Sequence, residues 1–230
     1  MKSIFAWGLL RLGYPPDEPM QHFMLNHLDT CYKIARDKVY DIYADEDECA
    51  QLPKEWAEKP ILKQEVMTNY WLPYIHDLYV FANFPDSMLN DITKCKINTI
   101  LDYVLDPRFQ NFRDGYGYAW IKERRFCYGW GWSPHFTKDP SLLLRIELLA
   151  HFKHAQESAL FKDLLAYLET FAHPEGRYLF PAEYLHESEG YYIGGYGMGL
   201  AENRRNPAWI EIESTFRILK IKSLLDPATK

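Results

Sequence analysis

The sequence predicts an all-α protein of stacked helical hairpins, interrupted by a short aromatic β-like ribbon. Three observations carry that reading. Apolar side chains recur at helical spacing through most of the 230 residues. Polar, proline-punctuated runs separate those stretches at intervals suited to paired helices. Nine of the twelve glycines fall in only two segments, around 115–131 and 190–199.

The elements follow in order. Residues 1–12 predict a first helix; its apolar run Ile4-Phe5-Ala6-Trp7-Gly8-Leu9-Leu10 is short for a secretory leader and has no small-x-small cleavage site after it. Gly13 to Pro19 breaks that helix, and a second runs from about Met20 to Arg36, with Phe23, His27 or Leu28, Cys31 and Ala35 at helical spacing. Asp41 to Pro60 reads as a polar loop. An aromatic-rich helix is expected over Leu62 to Phe84, with Pro73 marking its real start or a kink. Ile92 to Leu105 predicts a helix with Ile97, Ile100, Leu101 and Val104 inward. Pro140 opens another through Leu144, Leu148 and Phe152, Ser158 to Phe171 forms the next, and Ala208 to Leu225 the last.

Between these helices lies the ribbon. Residues 112–136 hold nine of the 37 aromatic side chains. Tyr116, Tyr118 and Trp120 alternate with Gly117 and Ala119; Phe126, Tyr128, Trp130 and Trp132 alternate with Cys127, Gly129 and Gly131. Alternation in extended chain places the rings on one face and leaves the other nearly bare. Ile121 to Arg125 is the expected tip between two short strands.

Composition narrows the function classes. With 47% hydrophobic and 25% charged residues the chain is an ordinary globular one, read as a single domain over 1–230. A net charge of -6 argues against nucleic acid as partner, since phosphate neutralisation needs a basic face. No apolar stretch approaches the roughly 20 residues that span a bilayer. Cys31, Cys49, Cys95 and Cys127 show no paired spacing, which fits reduced thiols in a cytoplasmic protein better than a disulfide framework.

A degenerate repeat runs through the helices. Leu25-Asn26-His27-Leu28-Asp29, Leu101-Asp102-Tyr103-Val104-Leu105 and Leu165-Ala166-Tyr167-Leu168-Glu169 share a leucine, a ring and an aliphatic residue, and each is followed by a polar turn that delivers a tyrosine. Helical hairpins that cannot bury themselves alone must stack. This unit, with Leu9-Leu10-Arg11-Leu12-Gly13-Tyr14-Pro15-Pro16-Asp17, Pro174-Glu175-Gly176-Arg177-Tyr178 and Glu213-Ser214-Thr215-Phe216-Arg217-Ile218-Leu219, resembles the helix-pair repeat of the α/α toroids, and more narrowly bacterial proteins of the prenyltransferase/squalene cyclase-like superfamily. The resemblance implies a small or incomplete α/α toroid with the ribbon at its centre. The strict Gln…Gly-x-Trp signature of the cyclase repeat is absent.

The chemistry of those families is not matched residue by residue. Triterpene cyclases protonate substrate with an Asp-x-Asp-Asp acid; the nearest stretch here, Asp45-Glu46-Asp47-Glu48, is polar throughout, whereas a protonating acid needs an apolar setting that raises its pKa. Protein prenyltransferases bind zinc with an Asp, a Cys and a His. Cys127 and His135 offer two ligands with no Asp-x-Cys before them, and zinc takes three or four. His151 and His154 lie three apart at a helix end without a nearby third ligand. Gly190 to Gly199 has glycine spacings like a dinucleotide loop but neither follows a strand nor opens a Rossmann unit. No metal or cofactor is therefore expected.

What remains is an aromatic wall. Trp71, Tyr116, Tyr118, Trp120, Tyr128, Trp130, Trp132, His135, Tyr192 and Tyr196 are the candidate ligand-binding residues, able to stack on a ring or line an apolar pocket. The candidate acids are Asp77, set among Trp71, Tyr74, Leu78 and Phe81, together with Glu183 and Glu213; Glu211 and Glu213, two apart, cannot share a helix face. The first expectation is a protein binding a small apolar or ring-shaped ligand in an aromatic central cavity. The alternatives are a carbohydrate-active enzyme using inward Asp or Glu, and a protein-interaction scaffold without a ligand.

Overall fold

The computed structural model describes residues 2–50, 60–112, 134–136, 142–185 and 207–225, and the backbone of 117–121 and 124–128. It is mostly helical, as the periodicity predicts. Two compact units are present, Met1–His135 and Phe136–Lys230.

In the first unit α1 (Lys2–Arg11) ends where Gly13 takes a φ of 80°, a conformation glycine adopts without the Cβ penalty. Asp17 caps α2 (Glu18–Asp37) by accepting from the Met20 amide at 2.9 Å, and Pro19 stands in its first turn, where its missing N–H costs nothing. Met24, Leu28, Cys31 and Ala35 are buried along one stripe of α2. Against it lies α6 (Asp91–Leu105), capped by Asn90, with Ile97, Ile100, Leu101 and Val104 all buried as expected. Asp29 and Lys96 form an ion pair at the rim of this helix pair.

The polar stretch after α2 is not all loop. Asp45 accepts from the Glu48 amide at 2.9 Å and starts a short helix, α3 (Glu46–Ala50), whose first-turn acids suit the positive end of the helix dipole. The helix expected over 62–84 is instead two: α4 (Gln64–Asn69) and α5 (Ile75–Ala82), joined by extended chain from Tyr70 to Tyr74. Pro73 is the cause, since it removes an amide donor and drives the residue before it out of helical space. α5 packs on α1. α7 (Pro107–Gln110) follows α6 directly, with Asp106 as its cap.

The ribbon is a two-stranded antiparallel hairpin, β1 (Gly117–Ile121) with β2 (Arg124–Tyr128). Its register corrects the single aromatic face. Gly117 pairs with Tyr128 and Ala119 with Phe126, while Tyr118 pairs with Cys127 and Trp120 with Arg125. Directly paired positions belong to one face of a ladder. Positions 118 and 120 therefore fall on one face, and 126 and 128 on the other.

In the second unit, the helix expected from Pro140 through Phe152 ends earlier. α8 (Leu142–Ala150) stops where the Gln156 side chain takes up the Ala150 carbonyl at 2.8 Å, and α9 (Lys153–Gln156) begins after an extended Phe152. Ser158 caps α10 (Ala159–Glu169). The stretch Pro174 to Tyr178 is the turn of a small hairpin, β3 (Ala172–His173) with β4 (Arg177–Tyr178), in which Glu175 and Gly176 both stand at positive φ. This hairpin and α8 pack on α11 (Trp209–Leu225), which also accepts the chain after it: Ser214 and Thr215 receive the Phe180 and Tyr178 amides.

Candidate functional site

The chemistry of the first unit converges on Asp77. His27 and Cys31 sit one turn apart on α2, so their side chains share a face. Asp77 occupies the third position of α5, where its carboxylate reaches back to the Tyr74 amide at 2.9 Å, the acid half of a capping box. Packing α5 beside α2 brings the three together. His27 Nε2 lies 2.7 Å from Asp77 Oδ1; on Asp77 Oδ2 converge the Tyr74 amide, the Trp71 indole Nε1 at 3.3 Å and the Cys31 thiol at 3.9 Å. Ser3, on α1, places its Oγ 3.3 Å from His27 Nε2.

Aromatic rings close the surroundings. Phe23 stacks on the His27 imidazole at 5.5 Å between centroids, and Trp71 meets it edge-on at 5.4 Å. Asp77 is only 1% exposed and His27 11%. Burial alone would raise the Asp77 carboxyl, but the hydrogen bond and charge of His27, the Tyr74 amide and Ser3 outweigh it, so the group is held below the usual carboxylate range. The Cys31 thiol moves the other way: burial first, then the Asp77 charge and hydrogen bond, push it well above its ordinary value.

These directions decide what the cluster does. A carboxylate held as an anion is a poor proton donor, and a thiol kept protonated is a poor nucleophile. The arrangement instead orients an imidazole, and it gathers three different donor atoms. The His27, Cys31 and Asp77 donors all lie within 4.8 Å of one another, the one such group among the described residues.

A second aromatic assembly forms where α6 and α7 meet. Tyr103 and Phe109 are buried and make its floor; Tyr40 stacks on Tyr103 at 4.7 Å, Phe112 lies 4.8 Å from Phe109, and Tyr43 meets Phe112 edge-on at 5.9 Å. Tyr40, Tyr43 and Phe112 are only half-buried. The Arg108 guanidinium sits 3.9 Å over the Tyr40 ring and grips Asp106 through two hydrogen bonds of 2.8–2.9 Å. That grip takes the Asp106 carboxyl down to about 2, whereas burial foremost, with the Asp106 charge, pushes the Tyr40 hydroxyl up to about 12.

Of the residues expected to bind a ligand, Trp71 belongs to the Asp77 cluster. His135 is half-buried beside Phe109, its Nε2 3.2 Å from the Phe109 carbonyl, and so joins the second assembly. Tyr118, Trp120 and Tyr128 are placed by backbone register only. Tyr116, Trp130, Trp132, Tyr192 and Tyr196 lie outside the described residues, as does the side chain of Cys127. Among the acids, Asp77 is the hub, Glu183 is exposed on a short 3-10 turn, and Glu213 is buried 2.8 Å from Arg217 one turn on. Glu211, half-buried at the helix start, faces Arg177 instead.

Sequence reasoning passed over His27 and Cys31 as cluster members. Their i, i+4 spacing on an inward stripe was the available signal, since a histidine on such a stripe needs a polar partner. No family model, curated protein or solved structure matches the chain.

Proposed function

We propose that this protein binds a small ring-shaped or largely apolar ligand, and that the assembly around Tyr40, Tyr43 and Phe112 is part of the surface the ligand stacks on. The carrying observation is that these three rings are half-open over a floor of buried Tyr103 and Phe109. Half-open ring faces and edges, with a charged pair, Arg108 and Asp106, at the rim beside Tyr40, suit such ligands. The aromatic hairpin that follows Phe112 in the chain adds rings to the same stretch of sequence. The likeness of the repeats to prenyltransferase- and cyclase-like toroids supports the same ligand class, and an incomplete α/α toroid is the arrangement proposed with it.

A thermal-shift titration with farnesyl diphosphate, a maltooligosaccharide and a flat heteroaromatic tests the reading. A ligand at 100 times its Kd stabilises by about 2.7 kcal/mol. The expected result is a shift with farnesyl diphosphate or the heteroaromatic that Tyr43→Ala and Phe112→Ala abolish while helicity by circular dichroism persists. Flat responses to all three ligands overturn it. A response confined to the oligosaccharide favours the carbohydrate reading.

A further inference from the structure

We propose that His27, Cys31 and Asp77 form a binding site for a borderline transition-metal ion, with zinc the best match. This is independent of the ligand proposed above. The three donors are an imidazole nitrogen, a sulfur and a carboxylate oxygen, each a normal zinc ligand. Two come from successive turns of α2 and the third from the first turn of α5, so a bound ion ties two helices together. The set differs in build from the Asp-x-Cys pattern of the prenyltransferases: here the cysteine precedes the aspartate by 46 residues.

The three donors stand close enough for one ion to draw them together. Zinc bonds of 2.0–2.3 Å in a tetrahedron separate ligand atoms by about 3.3–3.8 Å. The pairs here stand at 2.7 Å for His27 Nε2 to Asp77 Oδ1 and 3.9 Å for Cys31 Sγ to Asp77 Oδ2, with all donors within 4.8 Å. The first pair opens by about 0.6 Å. Cys31 Sγ, whose 3.9 Å neighbour is the oxygen held by the Tyr74 amide and Trp71, closes on the ion from within 4.8 Å of the other donors.

The two carboxylate oxygens are already divided between two tasks. Oδ2 accepts from the Tyr74 amide and the Trp71 indole, neither of which is a metal ligand, and these fix the carboxylate's orientation as outer partners do in zinc sites. Oδ1 shares a proton with His27 Nε2, and the ion takes that proton's place. On binding, the Cys31 thiol releases its proton to solvent and becomes a thiolate. The imidazole gives up its Nε2 proton, which exchanges through solvent to Nδ1, and presents the Nε2 lone pair to the ion. Ser3 Oγ, 3.3 Å from Nε2, stands where it can hydrogen-bond a water in the fourth position.

Cobalt substitution reads the site without reference to any activity. The full chain, stripped with chelator and titrated with Co²⁺, is expected to take up one equivalent, showing tetrahedral visible bands and a thiolate-to-cobalt band in the near ultraviolet. Zinc should bleach both. Cys31→Ser should remove the thiolate band. A triple variant Cys49→Ser, Cys95→Ser, Cys127→Ser should keep it, which assigns the sulfur even where Cys31→Ser fails to fold. A cobalt spectrum with no thiolate band, a band lost in the triple variant, or no uptake above chelator background overturns the proposal. A flat farnesyl diphosphate titration would leave it standing.

Discussion

Asp77 and Glu213 are both buried carboxylates at 1% exposure, yet they are held in different ways. Glu213 pairs with Arg217 on its own helix, four residues on, a contact that a single helix can make. Asp77 draws its donors from α1, α2, the extended chain at Trp71 and its own helix start, and none is a lysine or arginine. One acid is neutralised locally by a permanent cation. The other depends on four pieces of chain arriving together, and its main partner is a titratable imidazole that a metal can engage.

Removing the two acids should separate these cases most widely. Asp77→Ala leaves several buried donors unsatisfied and should cost about 3–5 kcal/mol in urea denaturation. Glu213→Ala should cost less, about 1.5–3 kcal/mol, because the long Arg217 side chain can reach water. Equal losses would break the comparison.

A smaller effect comes from thinning the donors around Asp77. Trp71→Phe removes one indole N–H and should cost about 1–2 kcal/mol, since the Tyr74 amide and His27 remain. A loss as large as that of Asp77→Ala would mean the indole, not the imidazole, carries the site.

The smallest effect contrasts either buried acid with a half-buried one. Asp106 is held by Arg108 at the surface, with its carboxyl at about 2. Its folded pKa is depressed, so its contribution is full above the unfolded value of about 3.9 and is lost as pH falls from there through about 2. Solvent screens the pair, so Asp106→Asn should flatten acid unfolding in that window only slightly. A steep change there would show that surface pairing matters as much as burial.

Much of the fold was legible because its signals are local. The buried stripe of α2, the inward residues of α6, the helix starting at Ser158 and the Pro73 interruption each follow from spacing or from one side chain's effect on its own backbone. The short helix at Glu46 was missed although Asp45 is a good cap, because the run of charge reads as solvated loop. The hairpin's existence was legible in the alternation, but its register was not. Pairing Gly117 with Tyr128 depends on where the turn closes, and a shift of one residue exchanges the faces.

The candidate site divides in the same way. Asp77 stood out by its apolar neighbours, and Trp71 was among the expected ligand-binding rings. His27 and Cys31 were only two inward positions of a helix.

The sequence by itself determined most of the helical segments, the interruption at Pro73, and that one acid, Asp77, lies among rings. Only the tertiary structure decided that His27, 50 residues from Asp77, donates to it, and that Cys31 and Ser3 join them. The reason is physical. Periodicity records which face of each helix is buried, but which two buried faces meet depends on the packing of α1, α2 and α5 as whole bodies.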